Sequence, residues 1–127
     1  MVKVTKVEIW YYPGYNFMTG VRATLSNGRQ SPIFKTTAQE SNGPFVLRLD
    51  QINRSKSIAV RSREDGVYGL KFSNKFRKES IEWSGDMTQK WVEQEIPNGE
   101  QIAGIYGLNG YGGKGIQNFG FITLSYI

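Results

Sequence analysis

One pattern recurs three times along this chain: an apolar strand, a loop, then Gly-apolar-x-apolar. It occurs as Val7-x-Ile9 followed by Gly20-Val-Arg-Ala23, as Ile58-x-Val60 followed by Gly69-Leu-Lys-Phe72, and as Ile102 to Ile105 followed by Gly120-Phe-Ile-Thr123. The three glycines stand 49 and 51 residues apart. A period of that size signals repeated supersecondary units that bury one shared core. Each unit is then a small antiparallel sheet, and three such sheets close like the faces of a prism, with their connecting tips together at one end. The 127 residues form a single domain, 1–127, long enough to bury a core without staples.

The local signals agree. Val4 to Tyr11 alternates, with Val7, Ile9 and Tyr11 on one face and Glu8 and Trp10 on the other, the period of a strand. Pro13-Gly14 breaks it, and Tyr12 to Thr19 is expected to be a loop. Gly20 to Ser26 alternates again into Asn27-Gly28, the strongest two-residue hairpin signal in the chain, and Gln30 to Phe34 is expected to pair back. Thr36 to Pro44 is polar and turn-rich; Phe45, Leu47 and Leu49 then alternate with Val46, Arg48 and Asp50. Ser57 to Arg63 and Val67 to Phe72 flank a turn at Glu64-Asp65-Gly66, and a basic turn follows at 73–78. Ser80 to Trp83 and Thr88 to Glu95 are strand candidates, and Pro97-Asn98-Gly99 turns into the closing hairpin. No segment carries a helical period, so the chain reads as all-β.

Composition excludes several functions. There is no Cys, hence no disulfide framework and no thiolate metal site. There is no His, so the usual general base and zinc ligand are missing. Acyl-transfer and zinc chemistry lack their players, no metal or cofactor is implied, and the chain is not read as an enzyme. Glu79 and Glu82 fall on opposite faces of a strand and do not form the facing carboxylates of a glycosidase. The net charge of +5 comes from scattered basic residues without aromatic interleaving, which argues against nucleic acid. No apolar run approaches the about eighteen residues that a membrane-spanning helix needs. Met-Val-Lys-Val-Thr-Lys is not a signal peptide, so the chain is expected to be cytoplasmic or a fragment of a longer protein. Trp10, Trp83 and Trp91 are read as core or sheet-face residues.

The order and spacing of these segments resemble a jacalin-related lectin domain. The residues that carry the likeness are Gly20-Val-Arg-Ala-Thr-Leu-Ser-Asn-Gly28 with Ser31-Pro-Ile-Phe34, Phe45-Val-Leu-Arg-Leu49 with Ser57-Ile-Ala-Val60, Val67-Tyr-Gly-Leu-Lys-Phe72, the run Ile96 to Gly107, and Gly120-Phe121. The resemblance covers roughly residues 4 to 127 and implies a β-prism with a pseudo-threefold repeat. It also implies a non-catalytic domain whose partner is a glycan or glycoconjugate. Two departures stand out. The glycine-rich strand that usually precedes the segment equivalent to Val4–Tyr11 is missing, so either one sheet lacks its first strand or the sequence begins inside the domain. An open sheet edge of that kind would suit a homo-oligomer. The family's sugar loop reads Gly-x-x-x-Asp; here the match is Gly113-Lys-Gly-Ile-Gln117, with Gln in place of Asp. A neutral amide accepts more weakly than a carboxylate.

The expected glycan site is therefore the glycine-rich loop 107–118 with its neighbouring end loops: Gly113, Lys114, Gly115, Gln117, Asn118 and Tyr111, joined by Asp65 and Tyr68, with Tyr15 and Asn16 at the same end. Backbone donors, amides and aromatic rings are what a shallow sugar cleft needs. The alternative is a module that keeps the fold, has lost sugar binding, and docks to a protein or an anionic surface through Lys71, Lys75, Arg77 and Lys78.

Overall fold

Ten strands and one short 3-10 turn build the domain in a computed structural model that describes residues 3–35, 41–52, 55–64, 66–108 and 117–125. In chain order the strands are β1 (Val4–Tyr11), β2 (Met18–Leu25), β3 (Phe34–Lys35), β4 (Asn42–Arg48), β5 (Ser57–Arg63), β6 (Gly66–Asn74), β7 (Glu79–Ser84), β8 (Val92–Glu95), β9 (Glu100–Leu108) and β10 (Gln117–Ser125). They form three antiparallel sheets, with orders β3-β2-β1-β4, β7-β6-β5-β8 and β10-β9. The first two share one topology shifted by four strands: a three-strand meander, with the fourth strand returning beside the first. Among the described residues the third sheet holds only the hairpin that corresponds to β1–β2 and β5–β6. No helix among the described residues is long and apolar enough to cross a membrane.

The repeat glycines occupy equivalent places. Gly20 pairs with Trp10, Gly69 with Arg61 and Gly120 with Tyr106. Just beyond each, the register slips by one residue, so that the next pairs are Tyr11–Met18, Ser62–Val67 and Leu108–Gln117. The second strand of each hairpin thus carries one extra residue, a bulge, at Thr19, at Tyr68 and within 118–119. Gly69 is needed for space: a β-carbon there would meet the Trp91 indole at 3.0 Å and the Arg61 β-carbon at 3.1 Å. That indole sits on the outer face of the second sheet, with Arg61 and Lys71 over its ring at 4.1 and 4.8 Å.

The period-2 alternation turns one face of every sheet inward. Val7, Ile9, Val21, Ala23 and Leu47 come from the first sheet, Leu70, Phe72 and Trp83 from the second, and Ile102 from the third; all are buried in one cluster. Aromatic contacts seal the seams. Tyr11 meets Trp83 at 6.3 Å between the first two sheets, and Phe72 meets Phe121 edge-on at 5.3 Å between the second and third.

Some expected boundaries move. The segment 30–34 supplies only an isolated bridge at Gln30 and the two-residue β3, because Pro32 has no N–H to give a ladder. The segment 88–95 is a strand only from Val92, since Asp86 caps a turn through the Thr88 N–H. β4 begins at Asn42, inside the stretch expected to be turn, and Leu49 leaves the strand to enter the 3-10 turn at Leu49–Gln51.

Two glycine variants separate the roles of space. Gly69→Ala should cost about 1–3 kcal/mol in urea unfolding, as a methyl group is forced against Trp91 and Arg61. Gly104→Ala, whose β-carbon would sit at an ordinary 3.6 Å from Ile122, should leave the midpoint unchanged or raise it.

Candidate functional site

The loop between β1 and β2 packs its own aromatic rings. Pro13-Gly14 turns the chain, with Gly14 at φ +85° and Asn16 at φ +65°. The Asn16 N–H donates to the Tyr12 carbonyl at 2.8 Å, and the Tyr12 N–H to the Phe17 carbonyl at 2.9 Å. This closure stacks Tyr12 on Phe17 at 5.1 Å and sets Tyr15 against both, at 5.7 and 6.4 Å. Phe17 is buried and meets Tyr68 edge-on at 6.1 Å, whereas Tyr15 is 69% exposed. The result is a rigid base with one ring standing in water.

The turn after β7 locks onto this loop. Gly85 donates its N–H to the Tyr68 carbonyl at 2.7 Å, and the Asn16 side-chain amide reaches the Gly85 carbonyl at 3.5 Å. The Asn16 carbonyl sits where a β-carbon of residue 85 would be, so only glycine fits. Beside it, Arg63 lies over the Tyr68 ring at 5.4 Å and pairs with Asp86 at 3.5 Å. Asp86 also accepts the Thr88 hydroxyl at 2.6 Å and its N–H at 2.8 Å. The Thr88 hydroxyl, its N–H and the Arg63 cation together hold the Asp86 carboxyl below the usual carboxylate range. Arg61, only 8% exposed, anchors the same turn: it donates to the Ser84 hydroxyl at 2.7 Å and stacks on Trp91 at 4.1 Å.

A cleft of about 390 Å³ opens beside the loop, where edge strands β4 and β7 meet. Tyr11, Phe45 and Trp83 line it with Asn16, Glu82, Ser84 and Gly85. Rings with an amide, a carboxylate and a hydroxyl are the mixture that holds a polyhydroxylated ligand. A cleft of about 460 Å³ at the opposite end, between Val4, Leu49, Ile52 and Ile102, has no ring in its lining. Among the described residues no group of three or more acidic side chains is placed to hold a metal ion.

Of the residues singled out from sequence, Tyr111, Gly113, Lys114, Gly115 and Asp65 lie outside the described residues. Gln117 and Asn118 open β10. Tyr68 is at this pole but only 2% exposed; it supports the β1–β2 loop through Phe17 instead of offering a free ring. Tyr15 and Asn16 stand where expected. The basic group divides: Lys71 points along the outer face of the second sheet to Trp91, 4.8 Å from the ring, while Lys75, Arg77 and Lys78 stay together on the β6–β7 turn. Sequence reading missed Arg63, Gly85 and Phe45. Only the Ser-Gly-Asp turn signal at 84–86 marks any of them, and it names no partner.

Gly85→Ala should displace the β1–β2 loop and cost about 1–3 kcal/mol of stability in chemical unfolding. For Asp86 the sign follows from its lowered folded-state pKa. Its stabilising effect is present above the ordinary carboxylate value of about 4 and fades as pH falls through the lower folded value. Asp86→Asn should therefore flatten the fall of stability on acidification below about pH 4, read as thermal midpoint against pH.

No protein-family model matches the sequence, and no curated protein matches it. Solved structures do. A crystal structure of a prostate-specific WGA16 glycoprotein lectin superposes with a TM-score of 0.74 at 16% identity, covering 97% of this chain and 83% of that one. A crystal structure of PirB gives 0.73 at 14% identity, covering 99% of this chain, which spans only 30% of PirB. At these identities the likeness is one of fold, and the chain shares that fold with both.

Proposed function

We propose that this chain is a non-catalytic carbohydrate-binding domain of the jacalin-like β-prism type that holds glycan at the pole formed by its hairpin loops. One observation carries the reading. The exposed Tyr15 ring is fixed on a buried base, with the Asn16 amide, the Arg63–Asp86 pair and the aromatic seam cleft beside it, on a fold shared with a lectin. A sugar ring's apolar face stacks on an aromatic ring, and its hydroxyls take hydrogen bonds from amides and charged groups. Because the platform is fixed in advance, little entropy is lost on binding.

The register of the third hairpin supports including the loop 107–118. Its pair Leu108–Gln117 corresponds to Tyr11–Met18 and Ser62–Val67, the pairs just past the bulge on the side of the other two end loops. Gly113, Lys114, Gly115, Gln117, Asn118 and Tyr111 then face glycan together with Asp65. With Gln117 in place of a carboxylate, the ligand's orientation is set more by ring stacking and backbone donors than by a charged acceptor.

A glycan array followed by titration of the best ligand tests this. Tyr15→Ala and Gln117→Ala, folded by circular dichroism, should each weaken binding about tenfold, a loss of about 1.4 kcal/mol. A neutral glycan should bind equally at low and high salt. An array with no retained glycan, or binding untouched by either variant, would overturn the proposal.

A further inference from the structure

The turn joining β6 to β7 stands at the far end of β6 from the aromatic pole. β6 spans nine residues, which puts about 26 Å between its ends. The turn reads Lys75-Phe76-Arg77-Lys78. It is locally braced: Asn74 is buried, and its Oδ1 accepts the Phe76 N–H at 3.1 Å and the Arg77 N–H at 3.4 Å, an Asx turn. The Lys78 N–H donates to the Lys75 carbonyl at 3.3 Å. This bracing presents Phe76 outward, 90% exposed, the most exposed of the large apolar side chains. Arg77 and Lys78 are exposed beside it, and Lys75 is held at 2.6 Å by Glu93.

An aromatic ring held in water between cations has chemistry for an interface that is apolar inside and anionic outside. We propose that this turn is a membrane-docking tip: Phe76 enters the boundary between headgroups and acyl chains of an anionic bilayer, and Arg77 and Lys78 meet its acidic headgroups, while Lys75 stays paired with Glu93. The observations favour a bilayer over the other occupants. A sulfated polysaccharide would use the cations and leave the ring in water. A protein would need a preformed pocket for a convex tip, whereas a bilayer deforms to take it. A tip with one ring and two cations binds reversibly and is sensitive to salt.

The test is sedimentation of the full chain with phosphatidylcholine vesicles, with and without phosphatidylserine. Binding is expected only with phosphatidylserine. Arg77→Gln and Lys78→Gln should each lower the partition coefficient roughly fivefold, and Phe76→Ala roughly tenfold. The chain has no cysteine of its own, so Phe76→Cys carries a polarity-sensitive dye at one site. Its emission should rise with anionic vesicles, while the same dye on Tyr15→Cys should not respond. Failure to bind either vesicle overturns the proposal. So does a dye that stays in water at position 76, or a Phe76→Ala variant that sediments like the parent. Heparin binding that is indifferent to Phe76→Ala, with no vesicle binding, would assign the turn to an anionic polysaccharide instead.

Discussion

One extra residue in the second strand of each hairpin is the constraint from which the pole follows. A bulge bends its strand and increases the local twist. Here it recurs beside Gly20, Gly69 and Gly120, so the three hairpins are bent at the same level. The residues at the bulges do visible work. Thr19 shares a hydrogen bond of 2.6 Å with Ser41, and Tyr68 is driven inward beneath Phe17. Tyr68 shares the inward face of Leu70 and Phe72 by plain alternation, and the slip beside it lets Val67 be buried as well. The exposed Tyr15 thus rests, through Phe17, on a ring supplied by a different sheet.

The outer faces solve a second problem with interchangeable parts. In the second sheet Arg61 is buried with no carboxylate in contact among the described residues; its charge is met by the Trp91 face, the Ser84 hydroxyl and the Met87 sulfur, and its Nε finds no partner. A buried cation is costly unless compensated, and an indole face supplies part of that compensation. In the first sheet the position of Arg61 is taken by Trp10 and that of Lys71 by Arg22. Arg22 lies 5.6 Å from the Trp10 ring and makes a two-pronged pair with Glu8 at 2.9 and 3.1 Å. The indole stands on β1 in the first sheet and comes from the segment before β8 in the second, and the pairing of cation and indole survives.

What could be read from sequence is what local periodicity determines. Val7, Ile9 and Tyr11 alternate with Glu8 and Trp10, and the structure keeps that division, so strands, sheets and the repeat follow directly. Pairings between distant residues left no such trace. Gly85 is indispensable because Asn16, sixty-nine residues away, places its carbonyl against it. Trp91 caps Gly69 from a segment that alternates like a strand but is held off the ladder. The basic residues looked like one cluster because they are close in sequence. A strand sends alternate side chains to opposite faces, so Lys71 left the face of Leu70 and Phe72 to join Trp91 on the other, while the turn kept the rest of the group.

The two ends of β6 now impose a polarity on the domain. Gly66 begins the strand beneath the aromatic pole, and Asn74 ends it by bracing Phe76. Between them β6 is buried over most of its length: Leu70 and Phe72 are fully enclosed, and the ladders to β5 and β7 flank it on both sides. A strand so enclosed transmits position without bending, since packed interiors resist deformation. If Phe76 rests at a bilayer surface, Tyr15 and the seam cleft are carried about 26 Å above it. That is beyond the Debye length of about 8 Å at physiological salt, so the surface charge that draws in Arg77 and Lys78 does not reach the Arg63–Asp86 pair. Docking and glycan recognition are thereby separable by salt, though one strand joins them.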